Sequence, residues 1–279
     1  MRSRTTLLSL LAGFVLALAT VQVHAQAREQ GRLLMATEVL EELRSQRDQF
    51  IPDRLLERAY GIAVIPDVTK VAFIAGGRRG NGVLVVRDKD GRFTNPIFLT
   101  LTGGSVGWQA GVQSADIVLV FTTPRGIEGI TDGKLTLGAD ASVAAGPVGR
   151  QASAATDATF TAEVYSYSRT RGLFAGIALD GSALTINNRA NAAFYRKRGV
   201  TASDIIHGAV TTNEPSAQRF LASVNASVNR TQQAASTPPA SGGAGTNGAP
   251  SAPPASQPSS EGAQTFPLED PEPGQEPPR

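Results

Sequence analysis

Residues Leu101–Phe121 read LTGGSVGWQAGVQSADIVLVF, and the way this stretch is taken decides the fold. Gly103-Gly104-Ser105-Val106-Gly107 matches G-x-S-x-G, the nucleophile turn of serine hydrolases, which needs a sharp passage from strand to helix and a histidine base. The residues after the motif carry a strand pattern instead. Val106, Trp108, Ala110 and Val112 alternate with Gly107, Gln109 and Gly111, a period of two that describes one extended segment with an apolar face. A base is scarce too: of the two histidines, His24 lies in a leader-like segment, and only His207 could serve. The stretch therefore reads as β-structure whose glycines allow close approach of backbone or ligand, and no catalytic residue is assigned.

The flanks agree. IAVIP, VAFIAG, GVLVVRD, PIFLTL and DIVLVF are short apolar runs, each read as a separate strand. Asp90-Gly91 and Asp180-Gly181 read as hairpin turns, because these residue types tolerate positive φ. Leu135, Leu137, Ala139, Ala141 and Val143 alternate as one further strand, and FTAEVYSYS and GLFAGIALDGSALTI continue the theme. Helical patterns bracket this body. Leu33, Ala36, Leu40 and Leu43 share one helical face, with Glu38, Glu41, Glu42 and Arg44 elsewhere. A second helix starts at Pro52 and buries Leu55, Leu56 and Ala59. Short helices return at NRANAAFYRKRG, TASDIIHG and SAQRFLASVNASVNRTQQ. The predicted class is α+β, a mainly antiparallel β sandwich or distorted barrel with two N-terminal helices and short C-terminal helices.

The ends differ from the body. Arg2 and Arg4, the apolar run LLSLLAGFVLALATV and the small residues of VHAQA read as a signal peptide over 1–25, cut after Ala25 or Ala27. The mature chain is thus expected in the periplasm or cell envelope, peripherally associated with a membrane. Residues 233–279 are rich in Pro, Gly, Ala and Ser and are predicted to be disordered. Between them, residues 28–232 form one expected domain. The chain has no cysteine, which excludes disulfides and thiolate metal sites, and its scattered acids and single mature histidine give no other metal ligand set. No cofactor is expected. Net charge is +2, and Glu261, Glu269, Asp270, Glu272 and Glu276 in the tail make the body more basic than that total.

Taken in order, IPDRLLERAYGIAVIP, GGRRGNGVLVVR, Pro96, GGSVGWQAGVQSADIVLVF, LGADASVAAGPVGR, VYSYSRTRGLFAGIALDGSAL and NAAFY resemble the SYLF, or Ysc-type, family from Ile51 to about Ile206. The order and spacing of the phrases carry the resemblance. It implies non-enzymatic binding of phospholipids, phosphoinositides in eukaryotic members, and actin bundling in some fungal ones. The expected partner is an anionic phospholipid or membrane surface, with docking of an envelope protein as the alternative. The leader argues against actin, and export without a continuous basic face argues against nucleic acid.

A head group needs cations held near one surface. Arg78 and Arg79 stand in GGRRGNG, read as a loop between strands whose glycines leave backbone N–H groups open to an anion, or else as a solvated hairpin tip. Arg196, Lys197 and Arg198 follow a short helix, where the helix dipole alone would also explain them. Arg169 and Arg171 sit beside Tyr165 and Tyr167, rings that are more often packing residues on a strand. Glu38, Glu41 and Glu42 would be repelled by an anionic leaflet, so the β loops are favoured over the first helix.

Overall fold

Ile62-Ala63-Val64-Ile65 is apolar without a break, the pattern of a strand covered on both faces, and in the computed structural model none of the four is more than 1% exposed. The structure describes residues 26–45, 51–72, 75–106, 111–131, 133–148, 161–170 and 173–229. The chain divides into units Met1–Thr237 and Pro238–Arg279, and all the described residues belong to the first. The predicted leader and tail lie outside them.

Helix α1 (26–45) and α2 (Asp53–Glu57) lead into β1 (Gly61–Ala72), β2 (Ala75–Val86), β3 (Ile97–Val106) and β4 (Gly111–Phe121). Then come α3 (Pro124–Thr131), β5 (Lys134–Thr136), β6 (Val143–Ala145), β7 (Val164–Thr170), β8 (Leu173–Gly176) and β9 (Ala183–Ile186). Helices α4 (Asn188–Phe194), α5 (Ala202–Ile206) and α6 (Pro215–Val228) close the described chain. The strands form one curled sheet in the order β5-β9-β3-β2-β1-β4-β7-β6, with β8 sharing the outer edge of β7. Among the described strands only the β6–β7 pairing is parallel. The fold is therefore α+β, in the distorted-barrel form.

Two apolar layers enclose the sheet. On one face Ile62, Val64, Val83, Val85, Phe98 and Val118 meet α1, α2, α4 and α6. On the other, Ala63, Ile65, Leu84, Leu99 and Leu119 meet Ile127 and Ile130 of α3 and Ile205 of α5. The helical face predicted for α1 is the buried one: Leu33, Ala36, Leu40 and Leu43 are at most 2% exposed.

Several strand boundaries differ from those the sequence pattern suggests. IAVIP and the Val71-Ala72 that open VAFIAG lie in one strand, because a bulge at Pro66-Asp67 carries β1 through with Asp67 at φ 52°, whereas Ala75-Gly76 already belong to β2. The Asp67 N–H donates to Asp116 on β4 (3.0 Å), which holds the bulge. GGRRGNG is not a loop but the first half of β2, paired with β1 and β3. Its glycines are there for packing: a Cβ on Gly82 would lie 2.5 Å from Ile65 Cγ1 and 2.6 Å from the Val64 carbonyl, and one on Gly80 would lie 2.6 Å from Val68 Cγ2. The bulged stretch of β1 occupies that space.

The alternating segment from Val106 to Val112 is not one strand: β3 ends at Val106, and β4 starts at Gly111 and runs on through DIVLVF, with β1 and β2 between them in the sheet. Residues 107–110 lie outside the described residues. Ser105 is paired with Gly76 inside β3, so the strand-to-helix turn of a hydrolase is not formed there. The run from Leu135 to Val143 breaks at Gly138 (φ 86°) into β5 and β6. Asp90-Gly91 does turn β2 into β3, with the Gly91 N–H donating to the Asp88 carbonyl (3.1 Å). Asp180-Gly181 is a turn as well, but β8 and β9 on its two sides pair with β7 and with β3 and β5, so it closes no hairpin. Helix α3, in TTPRGIEGIT, escapes the sequence pattern because two glycines mask a proline-led start with Ile127 and Ile130 on one face.

Gly82→Ala should therefore cost about 1–3 kcal/mol, since the clash is with backbone as well as side chain. A urea midpoint unchanged from the parent chain would contradict this close approach.

Candidate functional site

Past Thr102 on β3 and Asp116 on β4, the four strands β3-β2-β1-β4 run on without outer neighbours among the described residues: β9 last pairs at Thr102 and β7 at Asp116. The first row beyond is Gly103–Arg78–Lys70–Gln113, set by the three antiparallel registers, so these residues share one face. Lys70 and Arg78 are directly opposite. Like charges so placed repel, yet neither has a carboxylate partner among the described residues.

A missing side chain lets Arg78 and Ser182 come together. A Cβ on Gly103 would stand 2.6 Å from Ser182 Oγ and 3.2 Å from Arg78 Cγ, so these two groups fill the place a side chain would take. Arg78 Nε and Ser182 Oγ are buried and have no hydrogen-bond partner among the described residues, an arrangement that natural proteins seldom leave unfilled. On this face a cleft of about 270 Å³ is lined by Val68, Lys70, Arg78, Gln113, Ser168 and Thr170. A more open groove of about 600 Å³ is lined by Thr69, Val71, Arg79, Thr102 and Lys134, and Arg78 borders this one too. Clustered cations, hydroxyls and an amide over an apolar floor suit a phosphate-type anion.

Of the residues predicted from sequence, Arg78 and Arg79 meet here, on strand β2 and on opposite faces by its alternation. Arg169 does not. Its guanidinium is bound to Asp116 (2.5 Å) and to Glu42 of α1, and so fastens the first helix to the sheet. Burial pushes the Asp116 carboxyl up, the hydrogen bond from the Asp67 N–H works against this, and the charges of Asp67 and Glu38 add to the rise. Tyr165 and Tyr167 are core residues, 4% and 0% exposed, and burial drives the Tyr167 phenol well above its ordinary value. Arg171 lies outside the described residues.

Arg196, at φ 52°, donates to Gln26 (2.8 Å) and stands 4.0 Å from Glu214, while Gln26 and Gln30 donate to the same Glu214. This network joins the start of α1 to the start of α6. Lys197 and Arg198 are exposed, and the field of Lys197 helps to lower the Asp204 carboxyl after its hydrogen bonds from Thr201. Of the three, Arg196 borders a different pocket, with Thr212 and Glu214 beside it, and Lys197 and Arg198 do not line it. His207 is exposed at the end of α5, 3.2 Å from the Ser203 hydroxyl. Sequence reasoning misses Lys70, Lys134 and Ser182. Lys70 sits inside an apolar run, and only the β1–β2 register reveals its partner.

Residues 102–227 match the Ysc84 family model, described as Las17-binding protein actin regulator. The chain contains a Ysc84 (SYLF) domain. It is 39% identical over 166 residues to LAS seventeen-binding protein 3 of Saccharomyces cerevisiae, covering 58% of this chain and 36% of that protein. Against Protein YSC84 of the same yeast the identity is 40% over 151 residues, 53% of this chain and 32% of the other. Against the SH3 domain-containing YSC84-like protein 1 of Bos taurus it is 32% over 191 residues, 68% of this chain and 55% of the other. The chain thus spans about a third of the yeast relatives and about half of the bovine one. These relatives are named for binding and regulation and not for a reaction, and the expectation against actin draws no support from the family's description.

Arg169→Ala should lower stability by about 1–3 kcal/mol, because it strands the partly buried Asp116 carboxylate. Chemical unfolding reads this. Loss of ligand binding with unchanged stability would instead return Arg169 to the site.

Proposed function

We propose that the Ysc84 domain of this chain is a non-enzymatic binding module for anionic phospholipid, held at the face of an envelope membrane. The observation that carries this reading is the Lys70–Arg78 pair, two cations side by side with no carboxylate among the described residues, next to the unpartnered Arg78 Nε and Ser182 Oγ. A lipid phosphate would relieve the repulsion and satisfy both atoms. Arg79 and Lys134 add positive charge around the neighbouring groove. Among the described residues no helix is long and apolar enough to cross a membrane, so attachment through them would be peripheral.

Sedimentation with vesicles tests this. The protein should pellet with anionic but not neutral vesicles, and less at physiological salt than at low salt, because the screening length falls from about 30 Å at 0.01 M to about 8 Å. Lys70→Ala and Arg78→Ala should each weaken binding about fivefold, from ~1 kcal/mol per cation at an anionic surface. Equal pelleting of parent and both variants would sink the cleft, and no pelleting with any composition would sink the lipid reading.

Docking of a protein is the second reading, favoured by the relatives' names, which speak of Las17 binding and, for the family, actin regulation. It predicts partner capture that survives removal of lipid, and actin filaments belong in that assay. Export is supported by the leader-like start, and the network around Gln26 favours the cut after Ala25, which retains Gln26, over the cut after Ala27, which removes it. N-terminal sequencing of the cell-envelope protein should begin at Gln26. Recovery of the chain solely in the cytoplasm, leader intact, would contradict this.

A further inference from the structure

On the face of the four-stranded extension opposite Lys70 and Arg78, one row further out, stands Gly104–Gly77–Val71–Val112. Val71 and Val112 are cross-strand partners and are 53% and 72% exposed. No described residue covers them. The other two members of the row are glycines, and a Cβ on Gly104 would meet nothing within 4 Å. Isolated exposed valines are ordinary, but a directly opposed pair in the outer part of the ribbon, with only the Ala72–Gly111 pairing described beyond it on these two strands, is an apolar edge.

The extension runs four residues past the Thr102 row to Val106, about 13 Å at ~3.3 Å per residue. Its charges are confined to its base. Thr69–Arg79 and Lys70–Arg78 are the rows directly behind the valines, so the cations stand about 3–7 Å back from the apolar row. No Asp or Glu occurs between Asp67 and Asp88 or between Asp90 and Asp116 in the sequence. Cations set a few ångströms behind an apolar edge match the depth profile of an anionic bilayer, with phosphates outside and acyl chains within.

We propose that this end of the β3-β2-β1-β4 ribbon is the membrane-contacting edge, with Val71 and Val112 entering the interfacial layer of an anionic bilayer while Lys70, Arg78 and Arg79 lie at phosphate level. The inference rests on the lipid reading above and adds to it an orientation and an apolar contribution. A basic cleft alone would bind through charge only and would be abolished by salt. An inserted edge leaves a salt-resistant remainder.

The chain's single tryptophan, Trp108, belongs to the connection between β3 and β4 and serves as reporter. The purified chain is titrated with vesicles of phosphatidylcholine alone, or of an equal mixture with phosphatidylglycerol, and tryptophan emission and its quenching by brominated acyl chains are read. With the mixed vesicles the emission should shift to the blue and be quenched. Val71→Gln/Val112→Gln, which changes no charge at exposed positions, should weaken binding roughly tenfold, and Val112→Phe should tighten it roughly fivefold. Unchanged affinity in both variants, while Lys70→Ala still weakens binding, would overturn the apolar edge and leave the basic cleft standing. No vesicle binding by any form would overturn both. A dimer of the parent chain without lipid, lost in Val71→Gln/Val112→Gln, would assign the edge to a second copy and overturn the membrane assignment.

Discussion

Ile62, Ala63, Val64 and Ile65 are enclosed from four directions, by β2 and β4 at the edges and by the two apolar layers at the faces. A strand so placed can keep no polar side chain and leave no backbone group unpaired, which fixes the registers of both neighbours. Those registers in turn set what lies beyond the core. With β1 held at Gly61↔Phe121 and Gly61↔Val86, the bulge at Asp67 decides which residues of its outer half face each other. The meeting of Lys70 with Arg78 is thus a consequence of how the core is closed.

Arginines of similar appearance in the sequence have different roles for a reason of geometry. Arg169 falls opposite Asp116 in the β4–β7 register and within reach of Glu42, so its charge is engaged in holding α1 to the sheet. Arg196 is tied to Gln26 and Glu214 at the joint between the first and last helices. Arg78 falls opposite Lys70 and Gly103, neither of which has a side chain that can accept its hydrogen bonds. A cation left over by the fold keeps an unsatisfied interaction, and that is what sets this row apart from a brace.

The helices other than α3, and the class of the fold, were legible because their signals are local: Pro52 leading α2, the spacing of Leu33, Ala36, Leu40 and Leu43, and Asp90-Gly91 at a hairpin. The strand boundaries were not, because Gly and Pro were read as punctuation. Pro66 sits in a bulge within one strand, and Gly80 and Gly82 lie inside a strand because the bulged residues press against them. Both are tertiary effects that no window of the sequence reports. The site was half legible for the same cause. Arg78 and Arg79 drew notice as a charged pair among glycines, whereas Lys70, on the preceding strand, becomes their neighbour only once β1 and β2 are aligned.

The four-stranded extension is nested. Ala72 and Ala75 bound the inner connection, Val106 and Gly111 the outer one, and each outer strand lies against an inner one. As a free loop, joining Ala72 to Gly111 would close a long segment, with a loop entropy that grows with length. Once β2 has folded onto β1 and β3 onto β2, only the residues between Val106 and Gly111 still separate the ends. The arrangement thus converts a distant pairing into a short one through two prior local ones. Closing β1 with β2 first, then β2 with β3, and β4 with β1 last is therefore the order of pairing that costs the least loop entropy.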